Sequence, residues 1–314
     1  MPVNNSSENM LLNEAAIQYL LDHANDDEVS LSAYWREHKQ LFEVRDDGSV
    51  HGDIVLGNSN SPRSLARAAA HRILQMPLKR LARQYKNLNA IERTARKIAR
   101  QQGRQFNYDI LRHVFTLALI EHHQPDATQS GDALVIGDGF GTMASLLLAH
   151  SPGNRVFVVN LTKSLALDMI YLRRGFANIN MVLVHTPEQM RAALEDPSIR
   201  VIAVQADQRQ LLKNIPLRLA VNIESMQEMD LQMVCDYFDI IRGNPADKTS
   251  FYCCNRRFKS SNFEDYPWHD EDQIFEDGVC AWSQQYYSAR PPFLHRRPYG
   301  QKVVYHRFTE LKKP

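Results

Sequence analysis

Apolar positions recur along this chain in three different rhythms. Over residues 1–125 they fall mostly three and four apart, which predicts helices. Asn13 to Asp22 places Ala16, Ile17, Leu20 and Leu21 on one side. Ser61-Pro62 is a helix entry, and Leu65, Ala69, Ile73 and Leu74 follow it on one face. After Pro77 a similar stripe runs through Leu78, Leu81, Tyr85 and Leu88. Asp109 to His122 is another amphipathic helix, carrying Ile110, Leu111, Val114, Phe115, Leu117, Ala118 and Leu119. Glu43 to Leu56 holds the turn signal Asp46-Asp47-Gly48, with Val50 and Ile54-Val55-Leu56 beyond it. That stretch predicts a short hairpin or an ordered loop.

From 131 to 255 short β-branched runs alternate with helical segments, the pattern of a parallel sheet with covering helices. The predicted strands are Ala133–Ile136, Arg155–Val159, Met181–Val184, Val201–Val204, Leu217–Val221 and Phe251–Cys254. The predicted helices are Thr142–His150, Lys163–Arg174, Pro187–Leu194 and Leu231–Arg242. Either Met181–Val184 or Val201–Val204 could be the third core strand. Residues 256–314 are rich in aromatics and Pro and poor in periodicity. Gln284 to Tyr287 and Val303 to Phe308 could pair there as an antiparallel edge. The expected fold is therefore α/β, a Rossmann-like sheet over residues 126–314 with an aromatic-rich C-terminal segment 256–314. A mostly helical N-terminal region, 1–125, precedes it and would serve as a substrate cap or in oligomerisation.

Composition narrows the class. With 44% hydrophobic and 23% charged residues in 314, the chain can bury a sizeable core. No apolar run approaches the roughly 20 residues needed to span a bilayer, and Met1 to Asn5 lacks the charged and apolar regions of a secretory signal. Cys235, Cys253, Cys254 and Cys280 form no C-x-x-C pair, so free thiols in a reduced cytoplasmic protein are the expectation. No His, Cys, Asp or Glu cluster has metal-ligand spacing. Net charge is only +1, but it is unevenly spread. Residues 1–54 carry 3 Lys/Arg against 11 Asp/Glu, and residues 61–104 carry 12 against 1. The basic stretch could attract an anionic ligand. With Tyr85 as its one aromatic to stack a base, nucleic acid is not the expected partner.

The chemistry gathers at strand ends. Gly137-Asp138-Gly139-Phe140-Gly141 lies between a strand and a helix, where glycines let the backbone approach a ligand. A dinucleotide loop reads G-x-G-x-x-G; here the third glycine comes one residue early and Thr142 follows. That spacing suits a methyltransferase loop holding S-adenosylmethionine, although an ordinary strand–helix turn would share it. Asn160 and Leu161 end the second strand, where a polar side chain can bond ribose hydroxyls or cap the next helix. If Val201–Val204 is the third core strand, Gln205-Ala206-Asp207 lies at the same rim and Asp207 could bond the adenine amino group. After the strand Leu217–Val221 comes Asn222-Ile223-Glu224-Ser225-Met226-Gln227-Glu228-Met229-Asp230. Its carboxylates, amides and hydroxyl could bind a polyol and deprotonate one hydroxyl. Ser225 and Glu228 also fit a helix capping box. His185, His122 and His123 are further candidate bases.

These residues resemble a known family. The run Ala133–Leu147, the helix Leu165–Leu172 ending in Met169-Ile170-Tyr171-Leu172, the block Val221–Asp230, Tyr237-Phe238, Ile241-Arg242 and Tyr252–Arg256 are similar to the sugar O-methyltransferases. These are bacterial class I S-adenosylmethionine-dependent enzymes, and the resemblance covers about residues 30–260, with Tyr34-Trp35 at its edge. It departs from the pattern at Val135 and Asn160, where acidic residues are usual, and Asp138 could compensate. The resemblance implies a class I methyltransferase sheet, S-adenosylmethionine as cofactor and a role in polysaccharide biosynthesis. The substrate would be a sugar-type small molecule, anionic or nucleotide-linked in some forms. The proposed chemistry is in-line methyl transfer to a sugar hydroxyl, with Glu228 or Glu224 as base and Asn222, Ser225 and Gln227 orienting the sugar. Tyr266, Trp268, Trp282, Tyr286 and Tyr287 would form a stacking lid or fill a C-terminal core. Two rivals stand beside this: a nicotinamide-dependent oxidoreductase, and a non-catalytic regulatory protein on the same fold. A homo-oligomer is open under all three.

Overall fold

A computed structural model describes residues 10–38, 42–45, 49–52, 65–282 and 303–313. The strands of the predicted α/β region are β4 (Asp132–Ile136), β5 (Val156–Asn160), β6 (Asn180–Val184), β7 (Ile199–Gln205), β8 (Leu217–Ile223) and β9 (Ser250–Arg256). They lie parallel in the order β6-β7-β5-β4-β8-β9. The third core strand is β7, which pairs with β5 through Val156 opposite Val201; β6, with Met181–Val184, lies outside it. The Rossmann-like expectation is met. Strand order reverses at β4, with β5 on one side and β8 on the other, and ligand crevices of open α/β sheets lie at the carboxyl ends of such strands.

Alternate residues of each strand feed two cores, because side-chain direction has a period of two. Val135, Val158, Ala203, Val221 and Cys254 pack into the larger one. It is covered by α1 (Asn13–Asp22), α5 (Leu88–Gln101), α6 (Tyr108–His123), α8 (Thr142–His150) and α9 (Thr162–Gly175). Leu134, Phe157, Val204, Ala220 and Phe251 pack the other way, under α10 (Pro187–Glu195) and α11 (Leu231–Arg242). Val135 is thus core, 3% exposed, which explains why an apolar residue is tolerated where an acid was expected.

Several elements differ from the sequence expectation. The stripe after Pro77 breaks into α4 (Met76–Leu81) and the unforeseen α5. In α5 the single acid of the basic stretch, Glu92, is held by Lys79 at 2.5 Å and Arg96 at 2.7 Å. The strand Val303–Phe308 is present as β11 (Val304–Glu310), between β9 and β10 (Gln273–Val279) and antiparallel to both. The expected partner Gln284–Tyr287 lies outside the described residues. So do the helix entry Ser61-Pro62 and the turn Asp46-Asp47-Gly48, although β2 (Phe42–Val44) and β3 (Val50–Gly52) around that turn do pair as a hairpin. The N-terminal region is also woven into the sheet. β1 (Leu11–Leu12) pairs antiparallel with β6, and α2 (Ala33–His38) follows a segment that crosses the rim. Among the described residues no helix is long and apolar enough to cross a membrane.

The C-terminal segment is fastened by one buried ion pair. Arg242 on α11 meets Asp272 bidentately at 2.7 and 2.8 Å and also donates to Pro267 O and Lys312 O. Burial pushes the Asp272 carboxyl up, but Arg242 and the N–H groups of His269 and Lys312 outweigh it and hold the group below its ordinary 3.8. A depressed folded value means that the stabilisation is complete above pH 3.8 and is lost as pH falls below it. Removing one partner leaves a charge buried alone, so Arg242→Met should destabilise by about 3–5 kcal/mol, read from urea denaturation at neutral pH.

Candidate functional site

β4 ends at Ile136 and the glycine loop follows at the point of reversal. Gly137, Gly139 and Gly141 all take left-handed φ values of 70°, 82° and 57°, which L side chains adopt at a cost. Two of the three also answer to internal packing. A Cβ on Gly137 would lie 2.3 Å from Ser225 Oγ, and one on Gly141 would lie 2.9 Å from Asp168 O. The glycines therefore bring the β8 loop and α9 against the turn. Phe140 is buried and meets Tyr171 edge-to-face. Asp138 turns back onto its own helix: its carboxylate accepts from Met143 N at 2.9 Å and Ala144 N at 2.8 Å, capping α8 from within the loop.

Behind the loop lies a charged cluster that the sequence reading missed. Asp168, fully buried on α9, accepts from Gly141 N at 2.8 Å and from Asn160 Nδ2 at 2.9 Å. The Asn160 Oδ1 in turn accepts from Leu161 N at 3.0 Å, so both ends of this side chain are engaged within the protein. Arg104 donates to Gln102 Oε1, Thr142 Oγ1 and Phe140 O and faces the rings of Phe140 and Tyr171. Burial pushes Asp138 up and Asp168 well up, the latter also through the Asp138 charge. Burial also lowers Arg104, to about 10. An ionisable residue inside the apolar run Leu165–Leu172 was the one sequence signal for Asp168.

Over the ends of β5 and β7 runs the N-terminal segment. Glu28 Oε1 accepts from Thr162 N and Thr162 Oγ1, both at 2.8 Å, at the start of α9. Asp207, exposed just beyond β7, grips this segment. Its carboxylate accepts from Val29 N at 2.9 Å and Ser30 N at 2.6 Å. Lys163 Nζ donates to Phe42 O and Asn25 Oδ1.

On the other side of the reversal, the block after β8 splits into a scaffold and a charged face. Asn222 is fully buried. Its amide donates to Ile136 O and Ser225 Oγ, and its Oδ1 accepts from Asn255 Nδ2 and Met226 N. Ser225 Oγ donates to Ile136 O, so the capping box with Glu228 does not form. Gln227 Oε1 accepts from Arg256 N. These three side chains pin the turn to β4 and β9. The two carboxylates point elsewhere. Glu224 has a left-handed φ of 60° and meets Arg112 of α6 at 2.6 Å. Glu228 meets Lys259 Nζ at 2.5 Å, and that ammonium lies 3.5 Å from the ring centroid of Tyr34 on α2. Burial raises Glu228 against the pull of Lys259, and burial followed by the Glu228 charge raises Tyr34 to about 12. The Nε of Arg256, at the end of β9, is buried without a hydrogen-bond partner among the described residues.

Other candidates have packing partners in the two cores or single ring and ion-pair neighbours. Tyr266 and Trp268 pack with Phe238 and Phe263 in the smaller core, and Trp282 packs against Phe115 and Tyr85 in the larger. Tyr286 and Tyr287 are outside the described residues. His185 meets Tyr19 edge-on, His122 lies tilted against Tyr85, and His123 meets Glu276.

No family model and no curated protein matches the chain. Among solved structures, a TehB-like SAM-dependent methyltransferase from Corynebacterium glutamicum is similar, at 14% identity and a TM-score of 0.40, with 74% of this chain and 97% of that one covered. A phosphoethanolamine N-methyltransferase 2 from Haemonchus contortus in complex with S-adenosyl-L-methionine is 13% identical, with 63% of this chain covered and a TM-score of 0.38. The match spans 52% of that enzyme, about half its length. A cyclopropane synthase from Mycobacterium tuberculosis is 12% identical over 62% of this chain and 84% of its own, with a TM-score of 0.37.

The buried acids behind the loop make stability depend on pH in a defined sense. Asp168 titrates above its ordinary 3.8 in the folded chain, so the folded state binds that proton more tightly than the unfolded state. Its contribution therefore declines as pH rises from 3.8 through the raised folded value. In Asp168→Asn the fall in urea midpoint between about pH 5 and about pH 8 should be smaller than in the wild-type chain. An equal fall would count against a buried, proton-binding Asp168.

Proposed function

We propose that the crevice between β4 and β8 binds S-adenosylmethionine and that the chain methylates a hydroxyl of a sugar or another polyhydroxylated small molecule. The observation that carries this reading is the Asp138 carboxylate on the first turn of α8. In a dinucleotide site the pyrophosphate takes those N–H groups and the positive end of the helix. Here the loop's own carboxylate has taken them, which disfavours a nicotinamide dinucleotide. A cationic sulfonium and ammonium are compatible with a loop carrying an acid, and the left-handed glycine turn leaves backbone at the rim for close approach. The residues present therefore fit this cofactor, with Gly137 to Gly141 along its amino-acid end.

Bound there, S-adenosylmethionine supplies an electrophilic methyl group. The chain's part is to align an acceptor oxygen and take up its proton. Glu228 is the better base of the two candidates, because burial raises its pKa towards that of a hydroxyl. Lys259, held against it, keeps the carboxylate oriented. Glu224 is likewise ion-paired, with Arg112. Around them Tyr34, Lys259 and Arg256 offer donors suited to an oxygen-rich acceptor, and a site rich in charged hydrogen-bonding groups suits a polyol better than an apolar substrate. Asn222, Ser225 and Gln227 serve this reading by fixing the turn that carries the base. Tyr34 brings the N-terminal region into the acceptor side, in keeping with a substrate cap.

Isothermal titration with S-adenosylmethionine, S-adenosylhomocysteine and NAD tests the reading. The two sulfur nucleosides should bind and NAD should not; no binding of either at millimolar concentration would sink it and favour a non-catalytic protein. In Glu228→Gln, turnover on a sugar acceptor should drop by about 10²–10⁴, while S-adenosylhomocysteine still binds within a few-fold of wild type. Unchanged turnover would remove Glu228 as the base.

A further inference from the structure

We infer that Glu28, carried in by the N-terminal segment, is the residue that takes the ribose hydroxyls of the cofactor; the inference rests on the reading of the crevice given above. In mononucleotide-binding α/β units an acid about 20 residues beyond the glycine loop, where the second strand ends, bonds the ribose. In this chain that strand ends in Asn160. Asn160 is neutral, and its amide is engaged at both ends, by Asp168 and by Leu161 N. The position therefore lacks the charge that an acid would bring, and its carbonyl oxygen already accepts one hydrogen bond.

A carboxylate from the N-terminal segment nevertheless meets the backbone two residues further along, at Thr162. Glu28 is fixed by Thr162 N and Thr162 Oγ1, each at 2.8 Å. That hydroxyl also accepts from Gln205 Nε2 at 2.7 Å, at the end of β7. The carboxylate is thus held at the rim where β5 and β7 both end. Thr162 begins α9, whose own N-cap residue Leu161 offers no side chain for the job.

The segment that carries Glu28 is seated firmly. Asp207 grips Val29 N and Ser30 N, and Arg209 donates to Ser30 Oγ at 2.9 Å while bridging Asp236. Ser30, Leu31 and Ser32 are all buried. The ties from Asp207 and Arg209 to Val29 and Ser30 join positions well over a hundred residues apart in sequence, so the placement of Glu28 belongs to the tertiary structure. Asp207, by the same contacts, clamps the segment that carries Glu28.

A helix cap alone would also explain Glu28, so the test must read the ribose itself. S-adenosylhomocysteine and its 2′-deoxyribose analogue are titrated into wild type, Glu28→Gln and Glu28→Asp, with melting temperatures measured on each. Wild type should prefer the ribose form by ten-fold or more. Glu28→Gln should lose that preference and bind both forms alike, and Glu28→Asp should retain part of it. A Glu28→Gln chain that keeps the full preference, or that weakens both ligands by the same factor, overturns the inference and leaves Glu28 a cap. If wild type binds neither ligand, the cofactor reading itself fails and this inference falls with it. A wild type that binds both forms equally defeats the Glu28 role alone.

Discussion

The side chain of Asp138 folds back onto the first turn of α8, and the character of the crevice depends on that contact. A helix start exposes N–H groups without partners and carries about half a positive charge. In a glycine-loop fold that end is usually open to a ligand's phosphates. Here it is satisfied from inside the loop, by bonds to Met143 N and Ala144 N. Carrying the acid this deep requires the turn to be tight, and Gly137 and Gly141 make it so by admitting Ser225 and Asp168 into the space of a side chain. Electrostatically the Asp138 carboxylate, the helix start and Arg104 meet at one turn.

The uneven charge along the chain acquires a structural meaning. Among the described residues, two acids of the N-terminal segment reach α9. Glu14 meets Arg173 of α9, and Glu28 meets Thr162 at the start of the same helix. The basic stretch keeps its single acid, Glu92, for Lys79 and Arg96, and it sends Arg104 inward to the buried acids behind the glycine loop. Members of both charged regions thus contact the α/β part of the chain, at α9 and behind the glycine loop.

The order and kind of the elements from residue 131 to 255 were legible because two buried faces impose a strict alternation on every strand. The glycine loop was legible because its backbone demand falls on residue type. What could not be read was the direction of polar side chains. Asn222, Ser225 and Gln227 have the composition of a sugar site, yet their partners are Ile136, Asn255 and Arg256 backbone and side-chain atoms that become neighbours only after folding. Glu28, Arg104 and Arg112 were passed over for the complementary reason. They lie far in sequence from the residues they serve, and nothing local marks them. β10 escaped because both its faces are partly exposed, so it has no apolar alternation to betray it.

Glu224 shows how the two halves of the chain are tied energetically. A non-glycine residue at φ 60° costs on the order of 1–3 kcal/mol and persists only where its surroundings impose it. Here a bond from its own N–H to Cys254 O at 2.7 Å holds the backbone, and Arg112 at 2.6 Å holds the side chain. Burial would weaken the Arg112 charge, but Glu224 and Asp109 raise it. Since Arg112 belongs to α6 of the N-terminal region, the conformation of the turn that carries Glu228 is set partly from outside the sheet. Tyr34 reaches the same turn through Lys259, and Glu28 reaches the far side of the crevice through Thr162. The N-terminal region thus touches the crevice on both sides of the strand reversal, and the geometry of the candidate base cannot be separated from how that region packs.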